Sequence, residues 1–158
     1  MNEDILFELD APFRFTGRPF PVMPEFRPLW GMCLTLLLVA NSRSSRSSRS
    51  RLQVLAWGIR SDTNMRNLLN VVDGKAPPTA AGVRYDPMFD YSLSLCLSEN
   101  LVDLDKGKTV ELSDRGSAFI ASVTEDKTLL VHEKRRAGQL CPRINERVAE
   151  ALIKLESL

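Results

Sequence analysis

A mainly α-helical fold with a small β-hairpin is what this sequence specifies. Three features carry that reading. The run from Pro28 to Asn41 is apolar on nearly every side, several later stretches place apolar residues at helical spacing, and the short alternating segments LVDLD and TVEL flank the turn KGK. The chain has 158 residues, of which 44% are hydrophobic and 26% charged, the composition of a globular protein of about one domain.

The first 27 residues contain Pro12, Pro19, Pro21 and Pro24 interleaved with Phe13, Phe15, Phe20 and Phe26. Proline removes backbone donors and holds φ near an extended value, so residues 1–27 are expected to form an extended arm. Its phenylalanines require burial, against their own domain or on a partner. Pro28 opens the next segment at the first turn of a helix, where a missing N–H costs nothing, and Asn41 ends it. Because polar residues are nearly lacking on any side, this is expected to be the central core helix.

Arg51 to Arg60 places Leu52, Leu55, Ala56 and Ile59 on one helical face. Ser61 and Asp62 offer capping oxygens to a helix over 64–72 that presents Met65, Leu68, Leu69 and Val72. Residues 73–82 read as a loop. Asp86 followed by Pro87 is a cap and a first-turn proline, opening a helix to about Asn100. After the hairpin, Ser113 caps a helix running to Val123. Residues 124–136 are moderately helical, Gly138 and Pro142 interrupt, and Ile144, Val148, Leu152 and Leu155 form the stripe of a last amphipathic helix. The order of helices and hairpin predicts a winged-helix-like domain over 28–123, followed by a C-terminal extension of amphipathic helices over 124–158.

Catalytic and metal-binding motifs are not apparent. The single histidine, His132, stands between Val131 and EKRR with neither nucleophile nor orienting carboxylate nearby in sequence, and the eight glycines form no phosphate loop. Asp103 and Asp105 share one face of a strand, beside Lys106 and Lys108, as a solvated hairpin face would. Cys33, Cys96 and Cys141 lie far apart, which implies neither a disulfide framework nor a metal knuckle. The expectation is a non-enzymatic protein without cofactors. The apolar run 29–40 is shorter than the ~20 residues a membrane span requires, and the segment before it is acidic, unlike a signal peptide. Cytosolic location and no membrane partner follow as expectations.

Electrostatics leave one conspicuous feature. Formal net charge is only +1, yet positions 41–51 read NSRSSRSSRSR. Arg43, Arg46, Arg49 and Arg51 are expected on an exposed, mobile loop between core helices that contacts phosphates once partners bring it near DNA. Lys106 and Lys108 on the hairpin, and Lys134, Arg135 and Arg136 farther on, are the other candidate nucleic-acid contacts. In a winged helix that reads DNA, the helix preceding the hairpin enters the major groove and needs cationic or amide side chains. Here it reads DPMFDYSLSLCLSEN, without one basic residue. A protein interface is therefore expected instead, with Phe13, Phe15, Phe20, Phe26, Phe89 and Tyr91 as its candidate residues.

The succession MFDYSLSLCLSENLVDLDKGKTVELSDRGSAFIASV, with KRRAGQLCPRINERVAEALIKL after it, resembles the helix, wing and closing helices of the small middle components of bacterial ABC three-component defence systems, the Lamassu-type complexes. The resemblance implies an accessory subunit that bridges an SMC-like ATPase and an effector, often a nuclease, in an anti-phage or anti-plasmid complex, with nonspecific DNA contact. It supplies no catalytic motif to carry over. A winged-helix transcriptional regulator and an antitoxin-like inhibitor are the alternatives, and the acidic helix over 86–100 disfavours the regulator.

Overall fold

The computed structural model describes residues 27–156, with side chains to Lys154. Within them the chain is mainly helical around a small sheet. The order is α1 (Pro28–Ala40), a 3-10 turn (Arg43–Ser45), β1 (Arg46–Ser48), α2 (Arg49–Ile59), α3 (Asp62–Val72), a second 3-10 turn (Pro78–Ala81), α4 (Pro87–Ser98), β2 (Val102–Asp105), β3 (Thr109–Leu112), α5 (Asp114–Glu125), α6 (Val131–Leu140) and α7 (Glu146–Glu156). The phenylalanines of the expected arm, Phe13, Phe15, Phe20 and Phe26, lie outside the described residues.

Helix α1 is central because its sequence leaves it no polar face. Leu34 through Val39 are all buried, and the one hydroxyl among them, on Thr35, donates to the Gly31 carbonyl one turn back at 2.9 Å. α4, α5, α2, β3 and α6 all pack on it. Gly31 admits α4 closely, since an added Cβ there would lie 2.0 Å from Ser92 Oγ.

Serine and acidic caps fix the starts of the surrounding helices. Ser48 Oγ accepts from Arg51 N at 3.1 Å, Ser61 Oγ from Asn64 N at 3.1 Å, and Ser113 Oγ from Gly116 N at 3.0 Å. Asp86 caps α4 through Met88 N at 3.0 Å and also pairs with Arg60. The caps foreseen at Ser61, Asp86 and Ser113 are therefore where the sequence puts them.

The hairpin is present, and it is one part of a larger sheet. β2 and β3 pair antiparallel with Val102 opposite Leu112 and Asp105 opposite Thr109. A third strand, β1, pairs with β3 on its other side, Arg46 facing Glu111 and Ser48 facing Thr109, so the order is β1-β3-β2. That strand comes from the Arg/Ser tract, which is folded: it contributes a 3-10 turn, a sheet edge and the first turn of α2. The expected mobile loop is corrected here. Ser44 and Ser45 take left-handed backbone angles, φ 55° and 52°, that turn the chain from α1 onto the sheet.

Two further departures concern the C-terminal part. The helical stretch expected over 124–136 is broken by a turn in which Asp126 Oδ1 accepts from Thr128 N at 2.7 Å and Leu129 N at 3.3 Å. Gly138, expected to interrupt, lies inside α6. α6 and α7 pack on α2, and Leu140, Ile144, Ala149 and Leu152 join Leu52, Leu55 and Ile59 in one hydrophobic core.

Candidate functional site

The four arginines of the tract have four different fates. Arg43 is exposed and, among the described residues, has no ion pair or side-chain hydrogen bond. Arg46 sits on β1, where the register places it beside β3 and the hairpin end. It contacts Asp105 at 2.9 Å and Glu111 at 3.4 Å. Arg49, at the start of α2, grips Asp90 of α4 through two parallel contacts, Nε to Oδ1 at 2.9 Å and Nη2 to Oδ2 at 2.5 Å. Tyr85 also donates its hydroxyl to Asp90. Burial would raise the Asp90 pKa, but the hydrogen bonds from Arg49 and Tyr85 outweigh it and hold the carboxyl below its ordinary value. The Arg49 guanidinium is shifted up in turn, chiefly by its hydrogen bond to Asp90.

Arg51 corrects the expectation most sharply. Only 6% of it is exposed. Nε donates to the Ile144 carbonyl at 2.6 Å, Nη2 to the Cys141 carbonyl at 2.7 Å, and Nη1 to Ser42 Oγ at 2.6 Å and Ser47 Oγ at 2.9 Å. It joins the tract to the α6–α7 connection and is withdrawn from any DNA surface. It lies in the first turn of α2, which packs on both α6 and α7, so its side chain reaches the connection between them.

The remaining predicted cations divide similarly. Lys106 and Lys108 project from the hairpin tip and are exposed. Lys134 donates to the Asp126 carbonyl. Arg135 and Arg136 both bind Asp62 at the start of α3, at 2.7 and 2.9 Å, and Arg136 also reaches the Ile59 carbonyl at 3.0 Å. The hydrogen bonds from Arg136 and Arg135 pull the Asp62 carboxyl down to about 2. The cluster expected to contact nucleic acid thus fastens α6 to the α2–α3 corner.

Phe89, expected at an interface, is 4% exposed and belongs to the core, because the helical spacing from Phe89 to Leu93 and Cys96 turns all three towards α1. Tyr91 is half exposed, on the opposite face. That face also carries Ser94, Ser98 and Glu99, and no cation. Nearby, Leu29, Met32, Leu101 and Phe119 line an apolar groove of about 350 Å³ whose polar edge is formed by Glu99 and Arg115. Leu29 and Phe119 are among the exposed large hydrophobic residues.

Thiol chemistry is suppressed. Burial raises the Cys33 thiol and pushes Cys96 to about 12 and Cys141 to about 11, so all three stay protonated near neutral pH. Among the described residues no cluster of histidine, cysteine and carboxylate side chains is arranged to hold a metal, and no helix is long and apolar enough to cross a membrane.

Sequence reasoning did not find a second cleft, of about 580 Å³, between the tract and the start of α7. Asn41, Arg43, Arg46, Arg51, Asn145 and Arg147 contribute its polar lining, with Glu146, Cys141, Pro142 and Ile144. No local signal joins residues 41–51 to 141–147; only the fold does. No family model, curated protein or solved structure matches the chain.

Proposed function

We propose that the chain is a winged-helix-type, non-enzymatic accessory subunit that joins an SMC-like ATPase to an effector in a Lamassu-type defence complex in the cytosol. The element order supports the winged-helix reading: a helix, a short strand, further helices, then a two-stranded wing whose second strand pairs with the first strand, giving β1-β3-β2. The family assignment rests on the resemblance of the 88–123 and 134–155 segments, and the interaction role rests on surface chemistry.

The observation that carries the interaction role is the exposed face of α4. In a DNA-reading winged helix this face needs cations or amides. Here it offers Tyr91, serine hydroxyls and Glu99, and its Asp90 consumes Arg49, one of the nearest arginines. Half-exposed tyrosine beside hydroxyls, with the apolar Leu29 and Phe119 groove nearby, suits a protein partner better than a phosphate backbone. Nonspecific DNA contact in the assembled complex falls to Lys106 and Lys108 at the wing tip.

The test is affinity purification of the tagged chain from its host at moderate salt, with mass spectrometry and a DNA-binding assay on the eluate. Recovery of an SMC-like ATPase and an effector, reduced by Tyr91→Lys, supports the proposal. Recovery of the chain alone, binding one defined duplex tightly, overturns it in favour of a transcriptional regulator.

A further inference from the structure

The 580 Å³ cleft between the Arg/Ser tract and α7 falls within the ~300–1,000 Å³ typical of small-molecule sites. Its lining includes Arg51, a guanidinium that is buried and, among the described residues, has no carboxylate partner. All four of its hydrogen bonds go to neutral oxygens, two carbonyls and two hydroxyls. Neutral acceptors satisfy its geometry but leave a full positive charge uncompensated in a poorly solvated place, where a missing counter-charge is costly. A guanidinium carries five N–H groups, so one on Nη2 remains unspent.

The rim adds charge of the same sign. Arg43 and Arg147 line the cleft, and neither has an ion pair or a side-chain hydrogen bond among the described residues. Arg46 also lines it but is neutralised by Asp105 and Glu111. The N-terminus of the eleven-residue α7 opens onto the same space, with Asn145 Oδ1 capping Val148 N at 2.9 Å and Asn145, Glu146 and Arg147 in the cleft wall. The one carboxylate in the lining, Glu146, is turned to Ser48, accepting from its backbone N–H at 3.0 Å and from its hydroxyl; its charge offsets one of the three guanidinium charges of Arg43, Arg51 and Arg147 and leaves the lining net positive.

We propose that this cleft binds a small phosphorylated molecule, its phosphate oxygens held by Arg43 and Arg147 and its charge compensating the buried Arg51. Arginine forks match phosphate oxygens in pairs, and a helix N-terminus favours the same anion. A duplex is the poorer fit, because Arg51 is only 6% exposed and a small anion reaches it more readily than a continuous phosphate backbone does. The site is independent of the bridging role, since it shares neither Tyr91 nor the apolar groove.

Isothermal titration of the full chain with inorganic phosphate, pyrophosphate and ATP tests it, with Arg43→Glu, Arg147→Glu and a Lys106→Ser, Lys108→Ser control. Saturable one-to-one binding is expected, weakened about tenfold or more by either arginine change, a loss of about 1.4 kcal/mol or more. Unliganded melting temperatures and the wing control should stay as in the parent. Equal affinity for pyrophosphate and ATP identifies the phosphate as the recognised group, and tighter ATP binding adds a nucleoside contact; both support the site. Absence of saturable binding to all three, affinity indifferent to both arginine changes, equal loss in the wing control, or displacement by duplex DNA at matched phosphate concentration would overturn it.

Discussion

Arg51 and Ile144 are 93 residues apart in sequence, and the guanidinium Nε of the first donates to the carbonyl oxygen of the second at 2.6 Å. Together with the bond to Cys141, this contact closes the α6–α7 connection onto the start of α2. An arginine in a low-complexity basic tract therefore serves as an internal tie.

Arg51→Met should destabilise the fold by about 3 kcal/mol, because it leaves two buried carbonyls and two serine hydroxyls without their donor. Arg43→Ser, at an exposed position without an ion pair among the described residues, should change stability by less than about 0.5 kcal/mol. Urea unfolding of the two variants beside the parent distinguishes them, and equal midpoints would refute the internal-tie role.

Acid should loosen the α3–α6 junction. The folded Asp62 carboxyl titrates at about 2, below its ordinary value of 3.8. A carboxyl depressed by folding contributes stability that is complete above the unfolded value and disappears as pH falls through the folded one. The window therefore runs from roughly pH 5 down to pH 2. Asp62→Asn should flatten the fall in urea midpoint across that window at low salt, and identical pH slopes in variant and parent would show that the pairing with Arg135 and Arg136 does not bear on stability. Because Asp62 is exposed, the effect should shrink as salt is added.

Gly116 tolerates no side chain. A Cβ there would lie 1.9 Å from the Leu101 carbonyl oxygen, which is backbone and cannot rotate away. Leu101 O is also held by Ser113 N at 3.2 Å. Gly116→Ala should therefore cost about 2 kcal/mol through displacement of α5 from the hairpin. Thermal melting measures it, and an unchanged midpoint would mean that α5 shifts freely.

The cysteines should react slowly in the native protein. With Cys96 near 12 and Cys141 near 11, thiolate is scarce at neutral pH and both sulfurs are buried. An aromatic disulfide reagent should label all three quickly in denaturant and lag far behind without it. Rapid native labelling of Cys141 would show that the α6–α7 connection opens readily.

Much of the fold was legible because the signals are local. An all-round apolar run becomes a buried helix whatever surrounds it, and Ser61, Asp86 and Ser113 cap helices through hydrogen bonds only two or three residues long. The turn Lys106–Lys108 likewise contains its own instructions, including Gly107 at φ 69°. The broken helix at Asp126 was less legible, since its helical pattern competes with an equally local side-chain turn.

By itself, then, the sequence determined the helical class, the central helix, the hairpin and the cationless face of α4, all properties of residues close in the chain. Tertiary structure alone decided that NSRSSRSSRSR is partly a strand. An edge strand is defined by its partner, and Arg46 to Ser48 find theirs in β3, more than sixty residues away. It also decided which charges face solvent. Arg43 and Arg51 are the same residue type in the same tract, but one meets water and the other meets the carbonyls of residues 141 and 144. Composition records how many charges a segment has, and only packing assigns each one its counter-group.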